Sequence, residues 1–237
     1  MPVDHFPSTH ATWIDAQLTI AGDADPAAAD SARSALRRHV MDRYADALRA
    51  YVLGSSLREL GEADELVNGF FAAALDRPEF LREWRSHGGP LRRWIINGLL
   101  FHARGLRRDR ARTRERDAGS SLSLEALAGG EDSGAERAFE REWANALLRS
   151  VCERVRIALE SDGDSESFEA FRRHVIDGRT HAAVALELGM TTARCAAIVR
   201  TVTDRVRAEA VRALVEEGVH REDADAELRR IEGLLGD

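Results

Sequence analysis

Lysine is absent from the 237 residues, so all 34 basic side chains are arginine. That excludes a P-loop, whose lysine reaches the phosphates, and Schiff-base chemistry, which needs an amine nucleophile. Cysteine is nearly absent too: Cys152 and Cys195 lie in helical patterns with no CxxC spacing, and read as buried thiols in a reducing compartment. The eight histidines are scattered, and the nearest pair, His174 and His181, does not share adjacent turns of one helix, so no metal site is expected. No Ser/His or Cys/His spacing suggests an activated nucleophile. Acid pairs such as those in EREW and EEGVHRED occur by chance on acidic helices. The expectation is a binding protein, not an enzyme, with no cofactor. Long apolar runs are missing as well: the longest, around Trp94 to Phe101, is too short to span a bilayer. No basic segment followed by an apolar run opens the chain, so a cytoplasmic protein without a membrane partner is expected.

What is present is helical periodicity and uneven charge. Apolar residues make up 44% of the chain, enough for cores of modest size in one or two domains. Net charge is −7, yet from Leu91 to Arg116 nine arginines against Asp109 and Glu115 leave a local +7. Such asymmetry points to a partner. Residues 216–237 lean the other way, with eight acids against three arginines. Strand-like alternation is absent, and the spacing predicts helices throughout. A short one carries Trp13, Ile14 and Leu18, and a long one from Ala27 to Leu53 repeats Leu36, Val40, Tyr44, Leu48 and Tyr51. A third, Ala63 to Leu75, turns Leu66, Phe70, Phe71 and Leu75 inward and leaves Asp64, Glu65 and Asn68 outward. The next, from Leu91, is apolar in its first half and arginine-rich in its second. After a Gly/Ser-rich stretch, Phe139, Trp143, Leu147, Val151, Val155 and Leu159 recur every four residues.

Thr180 to Arg207 fits a helix-turn-helix. Ala182, Ala185 and Leu188 are expected on one face of a short helix, with Gly189 at a turn needing positive φ and Thr191 or Thr192 capping the next helix. Ala185 is small enough for a close helix crossing, and Ile198 and Val202 pack the second helix back. Thr192, Arg194, Ala196, Arg200 and Thr203 are left for the outward face, which in a DNA-binding helix-turn-helix enters the major groove. Arg194 and Arg200 have the reach for guanine edges, and Thr192 for a phosphate or a thymine methyl. The sparser alternative is an ordinary helical hairpin.

Binding of DNA with unstacked bases would also need phosphate attraction and an aromatic platform. Arg104, Arg107, Arg108, Arg110 and Arg112 suit the first, and Trp84, Trp94 and Phe101 are available for the second. Large aromatics at helical spacing are more often core, and Phe101 is read that way, with Trp94 evenly placed.

The order of these segments resembles bacterial sigma factors of the extracytoplasmic-function type. ADELVNGFFAAAL, residues 63 to 75, resembles that family's polymerase-binding helix, which implies polymerase contacts at Asp64, Glu65 and Asn68. RRWIINGLLFHARGLRRDRAR, residues 92 to 112, is similar to the promoter-melting segment. It implies minus-ten contacts at Arg92, Arg93, Trp94, Arg104, Arg107, Arg108 and Arg110. ERAFEREWANALLRSVCERVR and ELGMTTARCAAIVR resemble the upstream-element domain, implying DNA contacts at Thr191, Thr192, Arg194, Arg200 and Arg205; FPSTHATW resembles an N-terminal extension found in one variety. Gly105, Ala196, Thr201 and Asp204 depart from the family pattern.

The expected fold is all-α, two helical domains joined by a flexible linker, the C-terminal one a helix-turn-helix. Its divisions are an extension at 1–26, a melting and polymerase-binding domain at 27–116, a linker at 117–134, a helix-turn-helix domain at 135–215 and an acidic tail at 216–237. The resemblance implies core RNA polymerase and promoter DNA as partners, with an anti-sigma protein as a further one. The tail is expected to restrain DNA binding through its charge. The rival from another class is a stand-alone helix-turn-helix transcriptional regulator, and a third reading is an all-α interaction protein.

Overall fold

The computed structural model describes residues 10–22, 25–118 and 133–236, and among these every regular element is helical. In chain order they are α1 (His10–Ile20), α2 (Pro26–Gly54), a 3-10 turn (Ser56–Leu60), α3 (Ala63–Leu75), α4 (Pro78–His87) and α5 (Leu91–Ala118). Then come α6 (Ser133–Ser161), α7 (Ser165–Phe171) with a π turn over Arg172–Ile176, α8 (His181–Glu187), α9 (Thr192–Glu216) and α10 (Ala224–Gly236). Residues 119–132 of the expected linker, and residues 1–9 with the start of the FPSTHATW motif, lie outside the described residues.

Local chemistry accounts for the boundaries. At the start of α2 the Asp25 carboxylate accepts from the Ala27 amide at 3.0 Å, and Pro26 takes the first helical position, where no amide hydrogen is needed. Ser55 then ends α2 and caps the 3-10 turn by accepting from the Leu57 amide at 3.2 Å. Helix α4 was not expected from the sequence. Its signals are nevertheless conventional: Pro78 in the first turn, Phe80, Leu81 and Trp84 buried at helical spacing, and Gly88 after its end at φ 73°.

One apolar cluster draws on both sides of the undescribed linker. It joins Tyr44, Leu48, Phe70, Trp84, Ile95 and Leu99 to Phe139, Trp143, Leu147, Val151, Leu214 and Ile231. Helix α6 lies along α2, with Gly54 against Ala135: a Cβ at Gly54 would stand 3.1 Å from the Ala135 Cα, so a larger residue there would make the crossing give by a few tenths of an ångström. The halves therefore do not have separate cores. Two smaller clusters, around Phe168 and Phe171 and around Ala170, Ala185 and Cys195, hold α7, α8 and the first half of α9.

The segment expected to be an acidic tail is instead built into this core. Ala224, Leu228 and Ile231 are buried, and Glu217 closes α9 at a junction with the first half of the chain. There Glu217 pairs with the Arg43 guanidinium, accepts from the Tyr44 hydroxyl, and takes the Leu91 amide on its own carbonyl at 2.9 Å. The charge pattern misled because it counts acids without asking what each one neutralises.

Candidate nucleic-acid interface

Helices α8 and α9 diverge by 105° across the turn from Leu188 to Thr191. Thr180 opens α8 by accepting from the Ala183 amide at 3.2 Å; Gly189 supplies φ 65°; and Thr191 starts α9 by accepting from the Arg194 amide at 3.2 Å. A left-handed backbone at Gly189 lets the chain reverse within so few residues. Val184 and Ala185 face inward onto Ala170, Cys195 and Val199, whereas Ala182, expected on that face, is exposed. Small side chains at 170, 185 and 195 allow the close approach. Burial, full at Cys195 and partial at Cys152, pushes both thiols up and so favours their protonated form.

The outward side of α9 carries Thr192, Arg194, Arg200 and Thr203, all exposed, with Thr191 at its cap; Ala196 is half-buried. Arg194 and Arg200 have no ion pair among the described residues. Arg205 sits 3.7 Å from Asp162, and Asp204 is exposed beside it. An ionic brace stiffens the approach to this unit. Glu169 accepts from Arg172 at 2.8 Å and from Arg173 at 2.6 Å, and Arg173 reaches on to Glu187 at 2.8 Å. These arginines, hydrogen-bonding its oxygens, hold the Glu169 carboxyl down to about 2. Arg179 completes the brace on Glu187.

Helix α5 sorts its arginines by the face each occupies. Arg92 is buried, 3.2 Å from Glu140 and 2.5 Å from Glu227, with its guanidinium 4.3 Å above the Trp143 ring. A side chain so enclosed cannot reach DNA in this arrangement, which corrects its assignment to the minus-ten set. Trp94 is half-buried against Phe80 and His87, and its indole N–H donates to the Phe80 carbonyl at 3.0 Å. Its polar edge is spent on the fold, so Trp94 is not an open platform for a base here. Arg107 reaches the Ser56 hydroxyl at 3.1 Å, and Arg110 donates to the Leu60 carbonyl, which ties both to the 3-10 turn.

Arg93, Arg104 and Arg108 remain exposed and without an ion pair among the described residues. Phe101, expected in the core, is instead 65% exposed, one of the most open large side chains of the fold. It was misread because the apolar run around it looks continuous in sequence, while the helix period puts Ile95, Leu99 and Ala103 inward and Phe101 outward. Burial lowers the neighbouring His102, which is therefore neutral near pH 7.

On α3, Asp64, Glu65 and Asn68 are all exposed, and Asp64 pairs with Arg49. Among the described residues no group of three or more histidine, cysteine or acidic side chains is placed to hold a metal ion. No single described helix is long and apolar enough to cross a membrane. No protein family, curated protein or solved structure matches the chain.

Proposed function

We propose that the chain is a sigma factor of the extracytoplasmic-function type, which binds core RNA polymerase and directs it to promoters. The α8–α9 pair carries this reading as a helix-turn-helix: an angle of 105°, a tight glycine turn and a capped second helix whose outer face holds two arginines without an ion pair among the described residues. In this reading that face meets the upstream element, the open arginines of α5 meet the minus-ten region, and the exposed acids of α3 meet the polymerase. The sequence resemblance supports the assignment of α3 and α5.

A stand-alone helix-turn-helix regulator is the second reading, and one observation favours it. The shared core around Trp143 and Ile231 fixes the two halves against each other, whereas a sigma factor spans two promoter elements. On the sigma reading, polymerase must capture the two halves in a more open arrangement, or use them as they stand.

Dependence on polymerase separates the two. The chain carries −7 overall, so its own affinity for DNA is expected to be poor. Held on polymerase, two weak surfaces act together through a high effective concentration. Promoter binding and permanganate reactivity of unpaired thymines are measured with and without core enzyme. The sigma reading expects tight binding and strand opening only with core enzyme, and replacing Arg200 by Ala should cost about 1–3 kcal/mol on the matched site and little on a scrambled one. Tight, specific binding by the isolated chain, unaltered by polymerase and without opening, selects the regulator.

A further inference from the structure

Two histidines that sequence spacing keeps apart meet in the fold. The rings of His174, in the π turn after α7, and His181, the first residue of α8, have centroids 3.6 Å apart and planes tilted by 41°. Both are half-buried. The His174 Nδ1–H donates to the Arg179 carbonyl at 2.6 Å, and because a carbonyl only accepts, this nitrogen carries a proton whether or not the ring is charged. The same connection is closed by the Asp177 amide on the Arg172 carbonyl at 3.0 Å and the Arg179 amide on the Arg173 carbonyl at 3.1 Å. The ring pair thus fastens the start of α8 to the end of α7.

We propose that His174 and His181 form a pH-sensitive latch on the helix-turn-helix, which holds α8 in place while at most one ring is charged and releases it when both are. One charged ring beside a neutral one meets no repulsion, whereas two imidazolium rings at 3.6 Å repel and need a counter-charge. The junction has none to spare. Its acids are Glu169, Asp177 and Glu187, against Arg172, Arg173 and Arg179, three of each sign. Every one of those acids is already hydrogen-bonded to arginine: Glu169 to Arg172 and Arg173, Glu187 to Arg173 and Arg179, Asp177 to Arg172 at 2.8 Å. On its other side α8 meets Val199 and Cys195 of α9, and burial favours the neutral thiol. Imidazole is the side chain that ordinarily gains its charge between about pH 8 and 5. The Glu169 carboxyl, held down to about 2 by Arg172 and Arg173, keeps its charge through that window, so the ionic brace is constant while the histidines titrate. Release of α8 frees Val184 and Ala185 from Cys195 and Val199, and with them the support behind the outer face of α9. That consequence for DNA rests on the function proposed above; the latch itself does not.

Amide hydrogen exchange of the full chain, read over residues 178–188 at about pH 7.5 and about pH 5 and corrected for intrinsic rates, tests the latch without DNA or polymerase. Protection in α8 should fall about tenfold at the lower pH, the factor that repulsion at 3.6 Å gives in a water-like dielectric, while α6 is unchanged. His181→Phe keeps a ring against His174 but cannot charge; His174→Asn keeps a donor for the Arg179 carbonyl and removes the ring. Each variant should show the same α8 protection at both pH values. Equal protection at both pH values in the wild type would overturn the proposal, as would an acid loss that persists in His181→Phe. If exchange behaves as described but the chain ignores core polymerase, the sigma reading fails and the latch stands. If polymerase-dependent opening is intact while wild-type exchange is flat, the latch fails and the sigma reading stands.

Discussion

Replacing Glu217 by Ala tests whether the chain folds as one body. The Glu217 side chain is 5% exposed and that of its partner Arg43 is 8%, so the substitution leaves a guanidinium buried without its counter-charge. Breaking a buried pair from one side costs about 3–5 kcal/mol. The Tyr44 hydroxyl loses its acceptor in the same step, adding about 1 kcal/mol. Burial, and then the Glu217 charge, raise the Tyr44 phenol well above its ordinary value, so it is a donor at every accessible pH and cannot escape by ionising. Against a total stability of about 5–15 kcal/mol, the loss is a large fraction. Urea unfolding followed by tryptophan fluorescence and by circular dichroism should show one shared transition in the wild type. Glu217→Ala should move it to lower urea with both probes still coincident. Pairing Arg43→Met with Glu217→Leu should recover most of the loss, because a well-packed apolar pair replaces buried ions at little cost. A change under about 1 kcal/mol in Glu217→Ala would refute the buried-pair argument. Two separate transitions in the wild type would refute the shared core.

Three further outcomes can be measured. Ile231→Ala should destabilise the whole chain by about 2–5 kcal/mol in urea unfolding, because Ile231 has no exposed surface; a loss confined to the last helix would contradict this. Truncation after Val215 would remove Glu217 and the α10 core residues. Restraint of DNA binding by acidic charge is therefore tested by neutralising the exposed Glu222 and Asp223, and unchanged affinity at low salt would dismiss it. The Glu169 carboxyl, held at about 2 against an ordinary 4.5 by Arg172 and Arg173, contributes stability that is full above pH 4.5 and lost as pH falls toward 2. Amide protection in α8 should fade across that window, and Glu169→Gln should flatten the dependence; an identical pH profile in the variant would remove Glu169 from the brace.

Much of the helical architecture was legible in the sequence because helices are decided by neighbours. The four-residue repeat from Phe139 to Leu159 set α6, the apolar run from Leu66 to Leu75 set α3, and Gly189 with Thr191 set the turn before α9. Local spacing also put Asp64, Glu65, Arg194 and Arg200 on exposed faces. Tertiary structure alone decided what those helices pack against. Charge counts made residues 216–237 a tail, but Leu228 and Ile231 find a core only once α6 lies along α2. Arg92 and Arg104 are the same residue type on one helix, and nothing local says that Glu140 and Glu227 come from distant segments to enclose the first and leave the second open. Burial depends on which surfaces the chain brings together over long separations, and periodicity within one helix carries no information about that choice.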